Sequence, residues 1–412
     1  MRSKRKVQIG LLVTALVVVG MAGYAGRSVF STANRYDEEL AAAKREGAII
    51  TPDDLRKRYG GPDVGNSGPI IRALPQNLKM VAKGGDGPPS PEQVAEAKAI
   101  VANLGDLDTY LATTHCDLRK EWELGENVMY PEFTSAKTAV KGLVTLAQDA
   151  ALRSDIKVAE KYLTVARRMA RDMGQTPVLI GMLVQVALEA IVANGCSKIA
   201  VQHRGEKPVL TMLRRVLERG QDVDVRRAME GEMMFFYQVS QGDINAEFLG
   251  TEYGAIRRAS RIPGMTAAWR TNILRWLRFT KQQLDAHPAN MLALADDLDF
   301  EKWRGQKEGL EKMTYWVVEQ LAPVLRQAFI AAMKPPVDRH VALTWVDMCE
   351  STGPWPTRPP VARKDPFTGA ELQLVRDGDS IAVICVGPNG KLENKTRKGG
   401  RGDDFGWWLT VP

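Results

Sequence analysis

The sequence predicts a mainly α-helical protein with a single N-terminal transmembrane helix, an α-helical hairpin array that is tetratricopeptide-like in part, and a small C-terminal antiparallel β-module. Three observations predict this. An uncharged apolar run stands near the start of the 412 residues. Apolar residues then recur at spacings of three and four, the period of a helix face. After residue 334 proline becomes dense, and short strand-like segments around an Asp-Gly step replace the helical period.

The apolar run, Val7 to Gly26, holds twenty residues without a charge. At about 1.5 Å per residue it matches the ~30 Å hydrocarbon core of a bilayer. Arg2, Lys4, Arg5 and Lys6 precede it, and Asp37, Glu38 and Glu39 follow. The positive-inside rule then keeps the N-terminus cytoplasmic and exports the rest across the bacterial inner membrane. A cleaved signal peptide is the alternative; its apolar region would be shorter, about 7–15 residues. The expected organisation is a basic stub at 1–6, an anchor at 7–26, short helices and a linker at 27–90, a helical ectodomain at 91–334, a proline-rich linker at 335–364 and a β-module at 365–412.

Four of the seven net positive charges sit in that stub. The remainder is too small for a nucleic-acid surface, and the sequence shows no basic stripe interleaved with aromatics. Cys116, Cys196, Cys349 and Cys385 lack the paired spacing of a zinc site. Two disulfides or four buried thiols are both compatible with the count.

Beyond the anchor, residues 35–46 read as a short polar helix. Thr51 followed by Pro52 and two acids marks a second start. Lys83 to Pro91 is a linker that ends in Ser90, Pro91 and Gln93, a capping box. Val140, Leu143, Val144, Ala147 and Ala151 share one helical face. Arg153 to Asp155 turns the chain, and a second helix runs from Ile156 to Met173. Leu146, Ala147, Ala159, Leu163 and Ala166 stand near the packing positions of a tetratricopeptide hairpin.

Pro177 to Gly195 is apolar nearly all round. A central acid costs about 2.5–3.5 kcal/mol on membrane-insertion scales, so Glu189 makes this a core helix rather than a second span. Gln185 and Glu189 share a face, where they line a pocket or meet polar partners. Further helices are expected at 206–219, 222–241, 265–286 and 289–333. Between them 242–264 is a long irregular connection, the kind of loop that often carries contacts. Trp269, Trp276, Trp303 and Trp316 read as core. Leu374 and its neighbours, Asp377-Gly378 and Ser380 to Val386 read as a hairpin.

Two clusters invite chemistry and do not sustain it. Asp296, Asp297, Asp299 and Glu301 do not share one side of a helix, so they form a solvated face. His115 and Cys116 stand together without the further residues of a cysteine hydrolase. Signatures of nucleotide, serine-hydrolase or metalloprotease sites are missing from the sequence. The terminal loop has a sharper case. Asn389, Glu393, Asp403 and Asp404 offer hard oxygen ligands among glycines, which suits Ca²⁺. Five basic residues in the same loop oppose it, and turn-capping aspartates are the plain alternative.

The order Asp365-Pro366-Phe367, Gly369, Gly387, Asn389-Gly390, Gly399-Gly400 and Asp403-Asp404 resembles the C-terminal β-region of the type II secretion major pseudopilin. That resemblance implies strands leading to an acidic calcium loop. It covers about fifty residues, and the family's peptidase site at the front of the apolar segment is absent. The stretches Ile50 to Leu55, Ala166 to Ile191 and Arg226 to Gln238 resemble uncharacterised membrane-anchored helical proteins of planctomycete-like bacteria. That group implies a location and an architecture. The expected function is therefore a membrane-anchored extracytoplasmic scaffold or protein-interaction protein of the cell envelope. A hydrolase-like envelope enzyme with a cleft near Glu189 or the 242–264 connection and an accessory component of a secretion or pilus-like system are the alternatives.

Overall fold

The computed structural model describes residues 34–76, 87–241, 265–286, 327–393, 396 and 405–411. Twelve helices and three strands order these residues. They are α1 (34–45), α2 (Pro52–Tyr59), α3 (Gly68–Arg72), α4 (Pro91–Val101), α5 (Leu107–Ala112), α6 (Pro131–Leu152), α7 (Ile156–Gly174), α8 (Leu179–Gln202), α9 (Lys207–Glu218), α10 (Val225–Gln241), α11 (Met265–Ala286) and α12 (Lys334–Cys349), with β1 (Gln373–Asp377), β2 (Ser380–Cys385) and β3 (Phe405–Thr410). Residues 327–332 are also helical. The expected anchor at 7–26, the connection at 242–264, the acidic cluster at 296–301, Trp303 and Trp316 lie outside the described residues.

The helix starts follow their local chemistry. Thr51 caps α2 in a reciprocal box with Asp54, and Ser90 does the same for α4 with Gln93. Each box satisfies two backbone N–H groups that a helix start otherwise leaves unpaired. The turn between α6 and α7 is short because Ser154 adopts a left-handed φ of 60° and Asp155 caps α7 through the Val158 N–H.

α6 and α7 form the expected hairpin, and Leu146, Ala147, Ala159, Leu163 and Ala166 are buried in it. The small residues let α8 come close. An added Cβ at Gly195 would lie 2.3 Å from Val144 Cγ1. Among the described residues α8 is the one helix long and apolar enough to cross a membrane. Yet α6, α7, α9, α10 and α12 all pack on it, and Leu188, Val192 and Cys196 have no exposure. It is the central helix of the array, apolar on all sides because neighbours cover most of its sides.

A second core joins the start of α8, through Leu179 and Met182, to α10, α11 and 327–332. Trp269 and Trp276 are buried there, as their spacing predicts. α1 is fixed to α11 by charge: Arg275 bonds Glu39 at 2.8 Å, and Arg278 bonds both Glu39 and Glu46.

One boundary differs from the sequence reading. Residues 335–349, expected in a proline-rich linker, belong to α12. Pro335 and Pro336 occupy its first turn, where a helix needs no N–H donors and the fixed φ of proline is helical. The irregular part of the expected linker, 351–363, is pinned. Trp355 packs edge-on against Trp345, the Arg204 guanidinium lies 3.9 Å over the Trp355 ring, and Arg204 Nε donates to Ser351 O at 2.7 Å.

The β-module is a three-stranded antiparallel sheet in the order β1-β2-β3. Asp377 pairs with Ser380 across the two-residue Gly378-Asp379 turn, with Gly378 at a positive φ. Central strand β2 is buried throughout. Val337, Val341, Trp345 and Met348 of α12 meet Ile381, Val383, Cys385 and Leu409 in one core. α12 thus joins the sheet to the helical array.

The backbones of α10 and the turn before α8 come close, and a Cβ on Gly231 would stand 1.4 Å from Pro177 O. Gly231→Ala must push the two apart. We expect a loss of about 1–3 kcal/mol, read as a lower midpoint in chemical denaturation followed by circular dichroism.

Candidate functional site

Asp172, near the end of α7, has no exposure to water. Its Oδ2 accepts from Ser67 Oγ at 2.7 Å and Tyr110 Oη at 2.8 Å. Its Oδ1 accepts from Arg168 Nε at 2.7 Å and Gln175 Nε2 at 3.4 Å. Gln175 passes the network on, since its Oε1 accepts the Cys116 N–H at 2.8 Å. A buried carboxylate is stable when its lone pairs are taken by donors and its charge is paired. Sequence spacing shows the Arg168–Asp172 pair, four residues apart on one helix, but not the remote hydroxyls.

Two clefts flank this hub. The larger, about 350 Å³, is lined by Arg56, Arg119, Lys120, Asp117, Glu123 and apolar groups around Cys116. Its charges neutralise one another. Arg56 bonds Asp53 at 3.0 Å and also Glu123, Arg119 bonds Asp63 at 2.5 Å, and Lys120 bonds Glu132 at 2.7 Å.

The second cleft, about 260 Å³, lies between α7, α8 and the end of α9. Arg167, Arg168, Arg171 and Arg219 line it, with Glu189, Thr164 and Gln221. Arg167 Nη2 bonds Glu189 Oε2 at 2.9 Å, and its Nη1 donates to Leu217 O at 2.8 Å and also to Val216 O. Both partners of this ion pair are buried. Gly220 makes room for it, since a Cβ there would lie 1.8 Å from Arg167 Nη2. Of the pair that sequence places on one face of α8, Glu189 therefore does both things expected of it: it lines a pocket and meets a polar partner. Gln185 packs instead against α7, beside Gly174.

Cys116, Cys196, Cys349 and Tyr110 are held in their protonated forms. Burial raises the Cys116 thiol well above its ordinary range, and raises Cys196 and Cys349 to about 12. All four cysteines are buried free thiols. Burial, with Asp172 beside it, raises Tyr110 well above the phenol range. His115 is half-buried, with Nε2 2.9 Å from Pro62 O, so it fastens a loop.

Of the four expected calcium ligands, Asn389 and Glu393 are among the described residues. Asn389 Oδ1 accepts the Lys391 N–H at 2.9 Å, a turn-capping bond. Glu393 follows on the same loop, while Asp403 and Asp404 lie outside the described residues. Among the described residues no group of three His, Cys, Asp or Glu is arranged to hold a metal ion. Comparison of the chain with family models, curated proteins and solved structures finds no match.

Removing the hub carboxylate tests its weight. Asp172→Ala removes the buried carboxylate that Arg168, Ser67 and Tyr110 share, and we expect a loss of about 3–5 kcal/mol in denaturant unfolding. A second expectation concerns pH. Burial raises Glu232, which accepts the Leu179 N–H at the start of α8, to about 7, and raises Asp338 on α12 to about 7. Both values lie above those of the unfolded chain. The stability they contribute is therefore full below about pH 4 and is lost as pH rises through 7. Relative to Glu232→Gln/Asp338→Asn, the wild type should lose on the order of 3 kcal/mol or more between pH 5 and pH 8.5. Parallel melting curves for the two proteins across that range would refute this.

Proposed function

We propose that the protein is a membrane-anchored extracytoplasmic scaffold or protein-interaction protein of the bacterial cell envelope. The apolar run at Val7 to Gly26 and the basic residues before it support the location. The observation that carries the role is the continuity of the helical array. α4 to α9 share one core with the end of α12, and α12 shares another with the β-sheet. A rigid surface of helical hairpins presents a fixed face to a partner, with little ordering cost on binding.

The hydrolase-like alternative needs a carboxylate free to act as acid or base. Glu189, the acid in the smaller cleft, is held instead by Arg167.

Cross-linking of the full-length protein in its native membrane, with the cross-linked residues mapped by mass spectrometry, tests the scaffold reading. We expect the same partner at lysines of the helical array, such as Lys137, Lys141 and Lys157, in independent preparations. A partner of secretion machinery at the β-module would favour the accessory role. Carbonate extraction that releases the protein from membranes would overturn the anchored reading.

A further inference from the structure

We infer that the arginine-lined cleft between α7 and the end of α9 is a binding site for a phosphoryl group carried by a small molecule or a lipid headgroup. This inference is independent of the scaffold reading.

The argument is one of charge compensation. Four guanidinium groups and one carboxylate line the cleft. Arg167 is matched by Glu189 and Arg168 by Asp172. Among the described residues Arg171 has no carboxylate within ion-pair distance; its Nη2 reaches Thr114 O at 3.4 Å. Burial and the neighbouring Arg168 lower its affinity for its own proton, and Asp172 only partly offsets them. Arg219 lies 3.7 Å from Glu160, but that carboxylate is bonded more closely by Arg215, at 2.8 Å. Two positive charges are therefore in excess, one half-buried on the wall and one exposed at the rim. Any protonation of Glu189 adds to the excess.

Guanidinium groups converging on a concave site recognise planar or tetrahedral oxyanions through forked hydrogen bonds. A carboxylate would neutralise one of the two. A phosphate monoester, with about −1.5 to −2 charge at neutral pH, matches both and offers three acceptor oxygens. The volume, about 260 Å³, leaves room for an organic body beside the phosphoryl group. The larger cleft has comparable basic residues but no such excess, because each is matched by a nearby acid.

Arg171 and Arg219 can be altered without touching the buried pairs. Calorimetric titration of the detergent-solubilised full chain, at constant ionic strength, would use inorganic phosphate and glycerol 3-phosphate. Flotation with phosphatidic acid vesicles, whose headgroup is a phosphate monoester, and with phosphatidylcholine vesicles forms the second arm. We expect binding of at least one phosphoryl probe and at least a tenfold weaker affinity in Arg171→Gln/Arg219→Gln. Arg219→Gln alone, at an exposed helix end, should weaken it several-fold with an unchanged melting temperature. Phosphate ester binding without selective flotation assigns a soluble ligand. Selective flotation on phosphatidic acid, lost in the double variant, assigns a headgroup. No binding of either kind, or equal affinities in wild type and variants, overturns the inference.

Discussion

A carboxylate with no exposure to water has to be compensated from within the fold, and Asp172 is compensated by segments far apart in the chain. Ser67 precedes α3, Tyr110 is on α5, and Arg168 is one turn back on α7 itself. Gln175 adds the strand-like stretch at Cys116. Hydrophobic contact alone would leave the short N-terminal helices free to slide over α6 and α7, because area burial has no direction. Directed hydrogen bonds to one charged group remove that freedom. The cost of an unmatched charge in the interior makes the arrangement all or none.

A similar device recurs where α12 meets the rest of the array. Asp347 is almost fully buried and faces Arg214 of α9 at 2.9 Å and Arg363 of the proline-rich segment at 2.8 Å. α12 packs on α8 and on the sheet at once. One buried acid thereby sets the position of a helix, and that helix sets the position of the β-module. The small sheet could not bury β2 alone; three short strands need a helix to cover their face.

Much of this architecture is legible in the sequence because it is written in local chemistry. The Thr51 and Ser90 boxes, the α6–α7 turn, the span of α11 and the Asp-Gly hairpin each depend on neighbouring residues, and the structure places them where spacing does. The apolar helix at 179–202 is legible as core through the single acid at 189. What is not legible depends on partners distant in sequence. Nothing local to Lys334-Pro335-Pro336 tells a helix start from a linker, since proline serves both, and the decision comes from packing against α8 and the sheet. Nor does the spacing of Ser67 and Tyr110 reveal that they share one carboxylate. The smaller cleft is half legible: Glu189 is singled out by its apolar surroundings, whereas Arg219 and Gln221 arrive from the next helix end.

The arginines of α7 show how a helix separates structural charge from available charge. Arg167, Arg168 and Arg171 fall on adjoining faces, since positions four apart are neighbours and successive ones are about 100° around. Arg167 is turned toward Glu189 on α8 and the last carbonyls of α9, where a cation also meets the negative end of the helix. Arg168 is turned toward Asp172. Both are committed to holding the array together, and neither can leave without exposing a buried carboxylate. Arg171 is on the same side of the helix and is only half-buried, yet among the described residues it lacks a carboxylate of its own. Beside the matched Arg167 and Arg168, an unmatched guanidinium is unfavourable to the protein alone, because burial and like charge both act against it. Its position near Arg219 at the rim, over an open concave surface, is accounted for when the compensating charge arrives from outside the chain.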